Sequence, residues 1–146
     1  MKRLSRFITL GARLFLAGVF LYASYDKVWN PAAFASAVAA YDLLPLWAVN
    51  PASVLLAWLE LVVGLLLLAG VWVRPAAAWA ALLLVMFMGL LVYAGLTGAG
   101  YDCGCFPGQE GGHAAGFGAA LRDLGFLLPA LWLLWRGESA PARRRP

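Results

Sequence analysis

Four apolar segments dominate this chain. They run from about Phe7 to Tyr25, Pro51 to Trp72, Pro75 to Thr97 and Ala119 to Trp135. A bilayer crossing needs about 20 mostly apolar residues, and all four segments are read as long enough to cross. The fourth is shorter and contains Pro129. A chain of 146 residues built around such segments has room for one compact unit and no second domain. The charged fraction is 12%, about half that of an ordinary soluble domain. The expected fold is an all-α membrane protein: a bundle of four transmembrane helices over residues 1–136, followed by a disordered basic tail, residues 137–146.

Local chemistry sets the breaks. "NPAAF" at residue 30 and "NPASV" at residue 50 each offer Asn as an N-cap and Pro at the first helical position. Gly70 and Pro75 bracket a tight turn. Between the first two spans, "PAAFASAVAAYDLLP" is too short and too mixed to cross, so it predicts a helix lying at the interface and ending before Pro45. Pro129 removes a backbone bond to the carbonyl of Gly125, which predicts a kink in the fourth helix.

The formal charge of +4 is not a nucleic-acid footprint, because the basic residues gather at the chain ends. Lys2, Arg3, Arg6, Arg74, Arg136 and Arg143 to Arg145 fall on one side of a four-span protein. The opposite side has Lys27 and Arg122 among Asp26, Asp42, Asp102, Glu110 and Asp123. By the positive-inside rule both termini are cytoplasmic and the loop after the third span faces outward. The localisation expected is a bacterial cytoplasmic membrane. A basic start, an apolar run and "ASA" at residues 35–37 resemble a cleaved signal peptide, but that site lies too far beyond the apolar run, which Arg13 interrupts.

Arg13 and Glu60 are the two ionisable residues expected within the hydrocarbon, where charges are costly and tend to pair. Counted from the outer ends of their spans they lie at about 18 Å and about 14 Å depth, close enough for an Arg13–Glu60 clamp. Arg13, Ala17, Phe20, Ser24 and Lys27 share one helix face, and Ser53, Ala57, Glu60 and Gly64 share another. Met86, Gly89, Tyr93 and Thr97 form a similar stripe in the third span. A polar seam leading to the outer mouth is the functional reading of these faces. A structural clamp, with Arg13 partly reaching toward the cytoplasm, is the preferred one.

Both cysteines and the single histidine sit in "AGYDCGCFPGQEGGH", residues 99–113. Cys103 and Cys105 are two residues apart, at the edge of disulfide geometry, and Gly104 lets the chain turn tightly enough to close the ring. Such a strained disulfide exchanges readily. Three readings compete. In the first, Cys103 and Cys105 are a catalytic redox pair tuned by Asp102, Lys27 and Arg122, since cations lower and carboxylates raise a thiol pKa. In the second, Cys103, Cys105 and His113 hold Cu(I) or zinc, a weak pattern with no evident fourth ligand. In the third, the pair only pins a loop. Placement of both cysteines together, and nowhere else, favours the first. With no second thiol pair the chain cannot relay electrons across the bilayer by thiol exchange alone. It needs a quinone, another cofactor or a soluble dithiol protein.

Taken together, "RLFLAGVFLYASYDKVWNPAAFASAVAAYDLLP", "LELVVGLLLLAG", "DCGCF" and "RDLGFLLPALWLL" resemble the MauE/DoxX family of small bacterial membrane proteins over about residues 6–136. The resemblance implies a four-helix membrane bundle associated with thiol redox chemistry. It also implies a link to maturation of methylamine dehydrogenase, a disulfide-rich protein, alongside a thioredoxin-like partner. By position it marks Arg13, Lys27, Tyr41, Pro45, Glu60, Gly64, Asp102, Cys103, Cys105, Phe106, Arg122 and Asp123. The family's loop often reads "CGCFG", whereas here Pro107 precedes Gly108. The function expected is thiol–disulfide exchange on the outer face with a thioredoxin-like or secreted partner. A non-catalytic scaffold for such a partner and a copper-handling site are the alternatives.

Overall fold

A computed structural model describes residues 2–97 and 117–136. The loop carrying Asp102, Cys103, Cys105 and His113, and the tail from residue 137, lie outside the described residues. Among the described residues all regular structure is helical: α1 Lys2–Trp29, α2 Pro31–Ala40, α3 Leu46–Ala69, α4 Val73–Thr97 and α5 Phe117–Arg136. Three stretches are long and apolar enough to cross a membrane: Leu4–Trp29, Leu46–Ala69 and Val73–Tyr93. Shorter than these three helices, α5 carries Arg122, Asp123 and Arg136.

The two Asn-Pro signals resolve differently. Asn30 ends α1 and Pro31 opens α2, as expected, because Asn30 leaves the helical region at φ −122° and ψ 65°. Its side chain does not cap α2, and instead its Nδ2 donates weakly to Asp26 Oδ1 at 3.4 Å. Asn50 and Pro51, by contrast, lie inside α3, which begins at Leu46 after an extended Pro45. Pro51 sits early enough to forfeit only the bond its nitrogen would have made to Trp47, and the helix runs through it.

α2 ends at Ala40, and the chain reverses at Asp42, a non-glycine residue at φ +52°. At the other end of α3, Gly70 takes the left-handed conformation at φ +74°. Its N–H is shared between the carbonyls of Leu66 and Leu67, and the Val71 N–H returns to Leu66 at 3.2 Å. This is the glycine-terminated closure that satisfies the last carbonyls of a helix. Pro75 falls in the first turn of α4, where its missing N–H costs nothing.

The four long helices pack in a ring: α1 against α3, α3 against α4, α4 against α5 and α5 back against α1, with α2 laid on α3. The α1–α3 and α4–α5 pairs are the closest-knit. Small residues allow this. A Cβ on Gly64 would lie 3.0 Å from Leu21 Cγ and 3.2 Å from its backbone nitrogen. Ala76, Ala77 and Ala80 are buried on α4, and Leu16, Phe20, Val63, Leu67, Leu83 and Leu133 fill the space between helices. The expected stripe on α4 is corrected: Met86 and Tyr93 are exposed, and the buried face runs through Leu83, Leu84, Phe87 and Leu91. Outside, the bundle shows Phe7, Phe15, Leu55, Trp58, Leu121 and Leu128 to its surroundings, an apolar exterior suited to lipid.

Candidate functional site: a buried charge cluster at one end of the bundle

Antiparallel packing of α1 on α3 sets which charges meet. Arg13 lies beside Gly70, Leu21 beside Gly64 and Lys27 beside Glu60. In this register α3 overhangs the end of α1 by about three turns, and α2 packs along the overhang. The expected Arg13–Glu60 clamp is therefore not formed. It rested on depths counted from Tyr25 and Pro51, whereas α1 continues to Trp29 and α3 begins at Leu46.

Glu60 instead meets Lys27. The Lys27 ammonium donates to both Oε1 and Oε2 of Glu60 at 2.8 Å, with both side chains 2% exposed. Sequence reading placed Lys27 at an open outer rim; the structure buries it. The nitrogen also stands 5.0 Å from the ring centroid of Phe34 and 4.7 Å from that of Phe87. Two aromatic faces replace part of the hydration that burial strips away. Such a pair survives in an apolar interior only with good geometry and mutual neutralisation.

A second carboxylate completes the cluster. Asp123 on α5 is buried and lines a small cavity of about 30 Å³ together with Lys27, Glu60, Phe87 and Phe126, room for about one water. Its Oδ1 accepts from Arg122 Nε and Nη2, both at 3.3 Å. Two cations and two carboxylates from α1, α3 and α5 thus balance one another. The faces expected on α1 and α3 are buried except at Arg13, which is partly exposed: Ala17, Phe20, Ser24 and Lys27 on one, Ser53, Ala57, Glu60 and Gly64 on the other. What sequence reading missed is the aromatic pair, Phe34 and Phe87, which belong to neither face. Of the proposed thiol-tuning groups, Lys27 is engaged by Glu60 and Arg122 by Asp123.

Arg13 sits at the opposite end. Its guanidinium lies against Gly70, where a Cβ would overlap Nη1 and come within 2.9 Å of Cζ. A cation there faces the negative end of the α3 dipole. Its Nε is buried without a hydrogen-bond partner among the described residues. At the same end, Arg74 Nε donates to the Leu134 carbonyl at 3.2 Å, and Arg136 lies over Trp132. Arg13, Arg74 and Arg136 therefore share one end of the bundle, and the cluster of Lys27, Glu60, Arg122 and Asp123 lies toward the other.

A second, larger cavity of about 230 Å³ opens between α2, α3 and α4, lined by Phe34, Tyr41, Ser53, Met86 and Phe87 among others. No group of three or more metal-ligating side chains occurs among the described residues.

The family model for methylamine utilisation protein MauE matches residues 5–136, nearly the whole chain. The chain belongs to the MauE family. A curated MauE, the methylamine utilization protein of Methylophilus methylotrophus, is 35% identical over 99 residues, which cover 67% of this chain and 52% of the relative. The chain thus spans about half the length of the curated MauE it matches. No solved structure matches it. MauE membership and three apolar helices of crossing length together make this a membrane protein.

Proposed function

We propose that this MauE-family protein is a membrane-embedded accessory factor whose outward-facing Cys103 and Cys105 exchange disulfides with a partner protein. A relative named for methylamine utilisation supports a role in maturing the machinery of that pathway. The observation that carries the thiol reading is the concentration of both cysteines, as CxC, in the segment between α4 and α5. α4 ends and α5 begins at the Lys27 end of the bundle, away from Arg13, Arg74 and Arg136. In this reading α5 is a fourth crossing, α2 lies at the outer interface, both termini are cytoplasmic and the CxC segment faces the periplasm.

The exchange proceeds in two displacements. One loop thiolate attacks a sulfur of the partner's disulfide and expels the partner's other thiolate. The second loop thiolate then displaces the partner's remaining sulfur, leaving a Cys103–Cys105 disulfide and a reduced partner. Run backwards, the same steps deliver a disulfide to a thioredoxin-like or secreted protein. Renewing the loop needs an external redox partner, a quinone or a soluble dithiol protein.

The test is thiol trapping of the full chain in a graded glutathione buffer, with Cys103→Ser and Cys105→Ser variants assayed for the exchange. A reversible dithiol–disulfide transition lost in both variants supports the proposal. Cysteines that never oxidise, or variants with full activity, would sink it. A scaffold is the second reading, favoured by the self-neutralised Lys27–Glu60 pair, which needs no substrate to be stable. Partner capture that persists in the double Cys→Ser chain would establish it. One copper per chain, lost with either cysteine, would instead establish the copper-handling alternative.

A further inference from the structure

The cavity between α2, α3 and α4 has the size of a single substituted ring. Its volume is about 230 Å³. An apolar cavity of about 150 Å³ suffices for benzene, and pockets for whole drug-sized ligands start at about 300 Å³. A ring with a few small substituents fits, and a complete phospholipid does not.

The lining has a matching chemistry. Phe34 and Phe87 supply aromatic surface, and Met86 a polarisable thioether suited to packing against a ring. Tyr41 and Ser53 also contribute to the lining, which is otherwise apolar. Ser53 donates its proton to the Val49 carbonyl at 2.7 Å, so its oxygen faces other groups as an acceptor. At the rim, the half-exposed Leu43 and Leu44 give access from an apolar phase.

Phe34 and Phe87 also have a second neighbour. Both rings lie within 5.0 Å of the Lys27 ammonium. The buried charge cluster therefore stands one phenyl ring away from the cavity.

We infer that this cavity is a binding site for the ring of a lipid-soluble quinone. The inference rests on the proposed function for its use and names the acceptor class for that exchange. Oxidising the dithiol of Cys103 and Cys105 to a disulfide releases two electrons and two protons. Those are the two electrons and two protons that convert a quinone into its quinol. Binding of the ring itself depends on no cysteine.

The test uses the full chain in phospholipid nanodiscs and an arylazido short-chain quinone as the probe. Photolabelling should fall on peptides covering Tyr41 to Leu56 and Met86 to Leu90. Decylubiquinone should displace it, and decanol, which has the chain without the ring, should not. Ala52→Trp, which fills the cavity, should weaken labelling about tenfold, while Leu121→Trp on the exterior should leave it unchanged. Met86→Trp provides a second filling variant should Ala52→Trp fail to fold. Labelling that persists in a folded filling variant, that spreads over the outer faces, or that decanol displaces equally would overturn the inference. The Cys103→Ser/Cys105→Ser chain should label as the parent does, and loss of labelling there would also overturn it. Intact labelling without any thiol exchange would remove the thiol reading and leave the site standing.

Discussion

The ammonium of Lys27 bonds both carboxylate oxygens of Glu60 at 2.8 Å, joining α1 to α3 across 33 residues of sequence. At this burial, removing one partner costs more than removing both, because a lone charge is left in an apolar interior. Glu60→Gln should therefore destabilise the protein by about 3–5 kcal/mol. A Lys27→Met/Glu60→Leu double variant should recover most of that loss. Unfolding midpoints in mixed detergent micelles measure it, and a double variant as unstable as Glu60→Gln would contradict this account of the pair.

Gly70 answers two demands at once. Its φ of +74° disfavours any side chain, and its missing Cβ leaves room for the Arg13 guanidinium. Gly70→Ala should cost about 1–2 kcal/mol from the backbone alone, with a further loss from the displaced arginine. Combining it with Arg13→Ala should recover only the second part. Full recovery in the double variant would mean that the left-handed turn contributes nothing.

Gly64 permits the close approach of α1 and α3. A methyl group there would meet Leu21 Cγ at 3.0 Å and the Leu21 backbone nitrogen at 3.2 Å. A larger branched group cannot be absorbed by a rotamer change, since the obstacle includes backbone. Gly64→Val should lower the unfolding midpoint by an amount equivalent to about 1–3 kcal/mol. Gly89→Ala, where a Cβ would meet nothing within 4 Å, should be close to neutral in the same assay.

Topology makes a separate prediction. A membrane-impermeant maleimide added to intact spheroplasts should modify the reduced cysteines of the CxC segment without permeabilisation. Cysteines introduced at Ser5 or Val71 into the Cys103→Ser/Cys105→Ser chain should react only after the membrane is opened. The reverse pattern would place the arginine end outside and invert the proposed orientation.

Much of this fold is legible in the sequence because long apolar runs and small-residue faces are physical requirements of packed helices in lipid. The faces of α1 and α3 follow directly from helical spacing, down to Lys27 and Glu60 as members of them. Their pairing does not follow. It depends on how far α3 slides along α1, and that offset is set by where α3 begins. The Asn50-Pro51 pair has the local chemistry of a helix start, yet the residues after Pro45 are already helical. A tertiary preference for extending the helix along α2 outweighs the one bond that Pro51 forfeits. With the start misplaced by five residues, Arg13 appears to be the partner of Glu60, while its head group belongs to the turn at Gly70. Phe34 and Phe87 were invisible as cation partners because nothing in their own segments marks them apart from other core aromatics.

The ring of helices divides into two closely knit halves, α1 with α3 and α4 with α5. Lys27 and Glu60 belong to the first half, while Phe87 and Asp123 belong to the second. The cluster is thus a latch across the seam. Sliding one half past the other would strip the ammonium of the Phe87 face and draw Asp123 out of the cavity it shares with Lys27 and Glu60. In an oily interior that is a steep penalty, so the two halves are held in one alignment.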